Sequence, residues 1–121
     1  MYADKEECQL TPESEFVELA VEVFSLLADA TRVKIILALR DGEFSVNHLA
    51  DIVDKAPTSV SQHLARLRMS RMVTSRHEGT KVFYSLTDEH ARRLVVDAIE
   101  QAEHTIGRNH HHVSATPNEK S

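Results

Sequence analysis

Apolar residues return every three or four positions early in the chain, at Phe16, Leu19, Ala20, Val23, Phe24 and Leu27. This spacing predicts a helix over residues 14–28 with one apolar face. A second helix is predicted over 30–40, with Val33, Ile35, Ile36 and Leu37 inward; Asp41-Gly42 stops it. Ser45 is a suitable cap for a third helix that buries Val46, Leu49, Ala50 and Val53. Pro57 interrupts the pattern, and Thr58 or Ser59 can start a fourth helix to about residue 70, with Val60, Leu64 and Leu67 inward. Residues 72–77 and 80–86 read as strands, rich in β-branched and aromatic side chains, with Glu78-Gly79 between them as a hairpin turn. Thr87-Asp88 then caps a fifth helix to about residue 106, whose apolar positions are Ala91, Leu94, Val95, Ala98, Ile99 and Ala102.

Four helices, a hairpin and a fifth helix make a mainly α chain with a β-hairpin wing. A short third helix, a tight turn and a polar-faced fourth helix form the helix-turn-helix arrangement, so the predicted fold is a winged helix-turn-helix. Residues 14–106 form that domain. Residues 1–13 are expected to be a flexible leading segment, and 107–121 a flexible tail containing histidines. At 121 residues the chain fits one domain and would gain from dimerisation, because so small a body buries only part of its apolar surface alone. No stretch resembles a signal peptide and no apolar run reaches the ~20 residues of a membrane helix. The single cysteine, Cys8, excludes an intrachain disulfide, which fits a cytoplasmic protein without membrane partners.

Charge sharpens this reading. The formal net charge is -5, but eight acids and one lysine lie in residues 1–29, whereas residues 55–81 hold six bases and one acid. A local basic surface is what binds phosphates. The outward side of the fourth helix offers Thr58, Ser59, Ser61, Gln62, His63 and Arg66. Hydroxyls, an amide, an imidazole and a guanidinium suit base edges and phosphates when a helix enters the major groove of double-stranded DNA. The hairpin adds Arg76 and Lys81, with His77 beside them.

The stretches LADATRVKIILAL, FSVNHLADIVDKAPTSVSQHLARLRMSRMV and SRHEGTKVFYSL resemble the ArsR/SmtB family of metal-responsive repressors. The resemblance covers residues 23–104. It implies a homodimer on an inverted-repeat operator, with the first and fifth helices at the interface. Arg71 stands where many members carry glycine before the hairpin.

Metal sensing follows from the same resemblance. Five of the eight histidines lie between His90 and His112. His90 and His104 are 14 residues apart, on one helix face but ~21 Å apart along the axis. One ion cannot bridge that gap within one helix; an antiparallel partner helix would bring His90 of one subunit beside Glu103 and His104 of the other. The family's four-ligand pattern maps onto Asp88, His90, Gln101 and His104, and Gln101 is a poor ligand. The pattern of a nickel- and cobalt-sensing member maps onto His90, Glu103, His104, His110 and His111. Asp88 is the weakest candidate, because helix capping alone explains it. Imidazole and carboxylate donors without thiolate favour Ni(II) or Co(II), with Zn(II) second. The third helix, LADIVD, lacks the cysteine pair of the family's thiolate site. The competing reading is a regulator of the same fold that does not sense metal and answers to redox or a partner, with Cys8 as the redox handle. An enzyme is not expected: HEGT lacks the second histidine of HExxH, and no nucleophile constellation is apparent.

Overall fold

The computed structural model describes residues 10–107. The elements run α1 (Val17–Leu27), α2 (Ala30–Leu39), β1 (Phe44–Ser45), α3 (Val46–Val53), α4 (Pro57–Met69), β2 (Val73–Glu78), β3 (Lys81–Leu86) and α5 (His90–Ala102), closed by a π-helical turn (Glu103–Gly107). This is the winged helix-turn-helix that the order of periodic segments predicts. Cys8 and the tail residues His110 and His111 lie outside the described residues.

The core is built largely from the positions expected to point inward, with Leu39 added and Val33, Leu37 and Val46 only half-buried against it. Ile35, Ile36 and Leu39 of α2 meet Leu49, Ala50 and Val53 of α3, Val60, Leu64 and Leu67 of α4, Val73 of β2, and Ala91 and Val95 of α5. Four helices and the start of the wing thus share one core, which fixes α4 relative to the hairpin.

Several boundaries differ from expectation for local physical reasons. Helix α4 starts at Pro57, with Ala56 before it and no side-chain cap; neither Thr58 nor Ser59 caps it. Proline at the first helical position needs no N–H partner and already has a helical φ. The hairpin turn is Gly79-Thr80 and not Glu78-Gly79, since Glu78 pairs with Lys81 and the positive φ of 64° falls on Gly79. Strand β1 was not expected. Its two residues pair antiparallel with β3, Phe44 with Tyr84 and Ser45 with Phe83, giving the sheet order β1-β3-β2. Ser45 also caps α3, its Oγ accepting from the His48 N–H at 3.2 Å.

Two turns depend on left-handed residues that are not glycine. Asp54 (φ 58°) ends α3 and makes the turn of the helix-turn-helix. Arg71 (φ 63°) ends α4: the Arg71 N–H donates to the Arg68 carbonyl at 2.9 Å and the Met72 N–H to the Leu67 carbonyl at 3.0 Å. That is the Schellman pattern, whose left-handed position favours glycine. Arg71 keeps the turn and bears the Cβ strain.

Helix α5 does not remain α-helical to residue 106. The Thr105 hydroxyl donates to the Gln101 carbonyl at 3.0 Å, and the last turn widens into the π-helical Glu103–Gly107. A threonine that bonds back four residues competes with the backbone ladder in this way. Helix α1 has no buried residue in the single chain, despite its apolar sequence. Leu19, Phe24 and, beyond α5, Ile106 are 54%, 60% and 66% exposed.

Candidate nucleic-acid interface and metal-ligating helix

Along α4 the buried positions Val60, Leu64 and Leu67 leave the opposite face open. Thr58, Ser61, Gln62 and Arg66 are exposed on it and Ser59 is half-buried. The first turn of α4 has no side-chain cap, so its leading backbone N–H groups suit phosphate oxygens.

His63 departs from the expected outward set. It turns toward the start of α2, with Nδ1 3.0 Å from the Arg32 guanidinium and 4.0 Å from Asp29 Oδ1. Asp29 caps α2, accepting from the Arg32 N–H at 3.0 Å. That backbone hydrogen bond, aided by the nearby Arg32 charge, holds the Asp29 carboxyl below its ordinary range against a smaller opposing effect of burial.

Arg76 also departs. Its Nε lies 2.8 and 2.9 Å from the two oxygens of Glu43, its NH1 lies 3.3 Å from Glu78, and its guanidinium sits 5.0 Å from the ring centre of Phe83. Phe83 is its partner across the hairpin. The hydrogen bond from Arg76 is the main reason the Glu43 carboxyl is held below its usual value, and the same contact raises Arg76. Lys81 stays exposed at the wing tip, without an ion pair among the described residues. Glu43, Arg32 and Asp29 carry no sequence signal beyond the ordinary one of an aspartate before a helix. Their partners lie 31 or more residues away in the interactions with α4 and the wing.

Just before the last helix, Asp88 Oδ1 accepts from the His90 N–H at 2.9 Å; the cap position itself is Glu89, not the expected Thr87 or Asp88, and its side chain makes no cap. His90 Nδ1 lies 3.0 Å from Arg93. Glu103 and His104 are exposed on the π-helical turn. Among the described residues of one chain, no group of three or more His, Cys, Asp or Glu side chains is placed to hold a metal. The first and last turns of this helix lie too far apart, as its length requires. Between α1, α2 and α5 lies an apolar cleft of about 350 Å³, lined by Phe24, Leu27, Val33, Leu94, Val95, Ala98, Ile99 and Ala102.

Residues 29–75 match the family model described as "Bacterial regulatory protein, arsR family". Over 113 residues the chain is 53% identical to the HTH-type transcriptional regulator KmtR of Mycobacterium tuberculosis, covering 91% of this chain and 85% of that one. The chain belongs to the ArsR family. This ArsR-family protein is also 35% identical over 91 residues to the HTH-type transcriptional repressor SmtB of M. tuberculosis, covering 75% of this chain and 67% of the relative. Its fold matches the solution structure of a homodimeric winged helix-turn-helix DNA-binding domain from Mycobacterium bovis, with a TM-score of 0.63 and 28% identity over 78% of this chain and 95% of that domain. The ArsR-family chain is a winged-helix transcriptional regulator and not an enzyme. None of its helices among the described residues is long and apolar enough to cross a membrane.

Proposed function

We propose that this protein is a cytoplasmic repressor that binds an inverted-repeat operator as a homodimer and leaves it when Ni(II) or Co(II) binds, with Zn(II) the next candidate. The observation that carries this reading is the uncovered apolar surface of α1, which adjoins the cleft along α5. A second copy packed there would cover Phe24, Ile99 and their neighbours and set the spacing of the two α4 helices. In DNA binding, Thr58, Ser59, Ser61, Gln62 and Arg66 address the major groove, with His63 at its edge. Lys81 meets phosphate at the wing, and Arg76 contributes chiefly by holding the wing to the body.

The donor set suits a borderline metal. His90 presents its Nε2, and Glu103 and His104 are exposed and without partners among the described residues. A dimer with antiparallel α5 helices would bring His90 of one subunit to the partner subunit's Glu103 and His104, with His110 and His111 completing the set. Asp88 accepts from the His90 N–H just before α5 and ranks last as a ligand. The metal, when bound, supplies a bond between subunits; the chain's part is to present imidazole and carboxylate groups and to couple their separation to the dimer geometry.

The test is a fluorescence-anisotropy titration of the DNA upstream of the protein's own gene, with nickel, cobalt and zinc compared. Wild-type protein should dissociate with nickel or cobalt. His104→Ala should bind DNA equally well and stay bound. A His104→Ala protein released at the wild-type nickel concentration would overturn the ligand assignment, and a monomeric protein would overturn the mechanism.

A further inference from the structure

We propose that Arg32 is a positioning residue that engages the Nδ1 lone pair of His63, so that the recognition helix presents an N–H on Nε2. The inference rests on the reading of α4 as the DNA-facing helix and adds a residue that does not itself face DNA.

A guanidinium can donate hydrogen bonds but cannot accept them. With Arg32 NH1 3.0 Å from His63 Nδ1, that nitrogen must offer its lone pair. A proton there would point at a cation. Among the described residues the competing partner is Asp29, whose Oδ1 is 4.0 Å away, too far for a hydrogen bond, and already accepts from the Arg32 N–H. The proton therefore sits on Nε2. Arg32 is itself held, because its Nε donates to the Leu26 carbonyl in the last turn of α1 at 2.6 Å. One guanidinium thus ties the end of α1 to the ring on α4.

His63 Nε2 has no protein partner among the described residues, and its side chain is only 20% exposed. An N–H on a largely covered side chain, without an acceptor among the described residues, is available to an acceptor that arrives. On a helix bordered by exposed Gln62 and Arg66, the arriving chemistry is a hydrogen-bond acceptor of DNA, either a phosphate oxygen or an acceptor on a base edge.

The first measurement is the ring-nitrogen NMR spectrum of His63 in the full-length protein. The Nε2–H tautomer is expected, and Arg32→Met should convert it to a mixture. The second is binding to the upstream duplex and to a scrambled duplex of equal length. In His63→Gln the amide nitrogen reaches the Nε2 position, and affinity should stay within about threefold. In His63→Asn the amide stops at the Nδ1 position, and affinity should fall by about tenfold. Neither variant touches the Leu26 contact, so the pair is informative even if Arg32→Met does not fold. A loss confined to the upstream duplex assigns the acceptor to a base edge; an equal loss on both assigns it to phosphate. A wild-type Nδ1–H tautomer or an imidazolium overturns the role of Arg32. The expected tautomer with equal binding by the Gln and Asn variants overturns the role of the N–H. Wild-type protein that binds neither duplex overturns the DNA-facing reading and the role of the N–H together, while a tautomer still dependent on Arg32 would show that the positioning contact survives.

Discussion

The Nε of Arg76 donates to both carboxylate oxygens of Glu43, at 2.8 and 2.9 Å, across 33 residues of sequence. The pair joins the wing to the loop between α2 and β1. Being exposed, it adds little to stability. Its consequence is electrostatic, because Glu43 and Glu78 already answer the Arg76 charge. Lys81 carries no such partner among the described residues.

The two wing cations should therefore differ in salt dependence. Lys81→Ala should reduce the slope of log affinity against log salt concentration by about 0.9, the effect of losing one phosphate contact. Arg76→Ala should leave that slope unchanged within error. Equal reductions in a titration series would show that DNA draws Arg76 away from Glu43.

Phe24→Glu combined with Ile99→Glu should produce a folded monomer. Both side chains are exposed in the single chain, at 60% and 37%, so a charge there disturbs little within one subunit. Across a subunit interface the same charges would be buried without partners, which is strongly unfavourable. Sedimentation should show a monomer, circular dichroism an unchanged helix content, and anisotropy a large loss of operator affinity. A double variant that remains dimeric would place the interface elsewhere.

Acid should weaken the fold in part through Asp29. Its folded carboxyl titrates below the ordinary range, chiefly because it accepts the Arg32 backbone N–H. The unfolded state then binds the proton first as pH falls, so this contribution is present above about pH 4 and lost as pH falls through the folded value. Asp29→Asn keeps a competent cap but removes the charge. The gap in urea midpoint between wild type and Asp29→Asn should close on acidification. A gap constant from pH 7 to 3 would contradict this account.

Arg71→Gly should raise the melting temperature. The left-handed φ of 63° strains a residue with a Cβ, and glycine removes that strain at the cost of a more disordered unfolded chain. The net gain is about 1 kcal/mol or less, a shift of a few degrees for a domain of this size. A lower melting temperature would mean that the arginine side chain stabilises the turn by more than its backbone strains it.

Local pattern carried most of the architecture. The 3.6-residue period identified Val60, Leu64 and Leu67 as the buried stripe of α4, and all three are fully buried. It also identified the apolar faces of α1 and α5, and charge segregation pointed to α4 and the wing as the basic region. Ser45 was legible as a cap because a cap is satisfied by backbone two or three residues away. Three-dimensional packing alone decided the partners of Arg76 and His63. Periodicity reports which side of an element is inward, but not which side chain of another element stands opposite it. The same holds for β1, two residues with no period of their own that become a strand only because β3 lies alongside. The widened turn at Glu103–Gly107 depended on where one threonine hydroxyl found its acceptor. The sequence by itself thus determined the five helices, the hairpin, the buried stripe of α4 and the resemblance to the family. The tertiary structure decided which charges remain free to meet DNA, because that depends on distances between groups far apart in the chain.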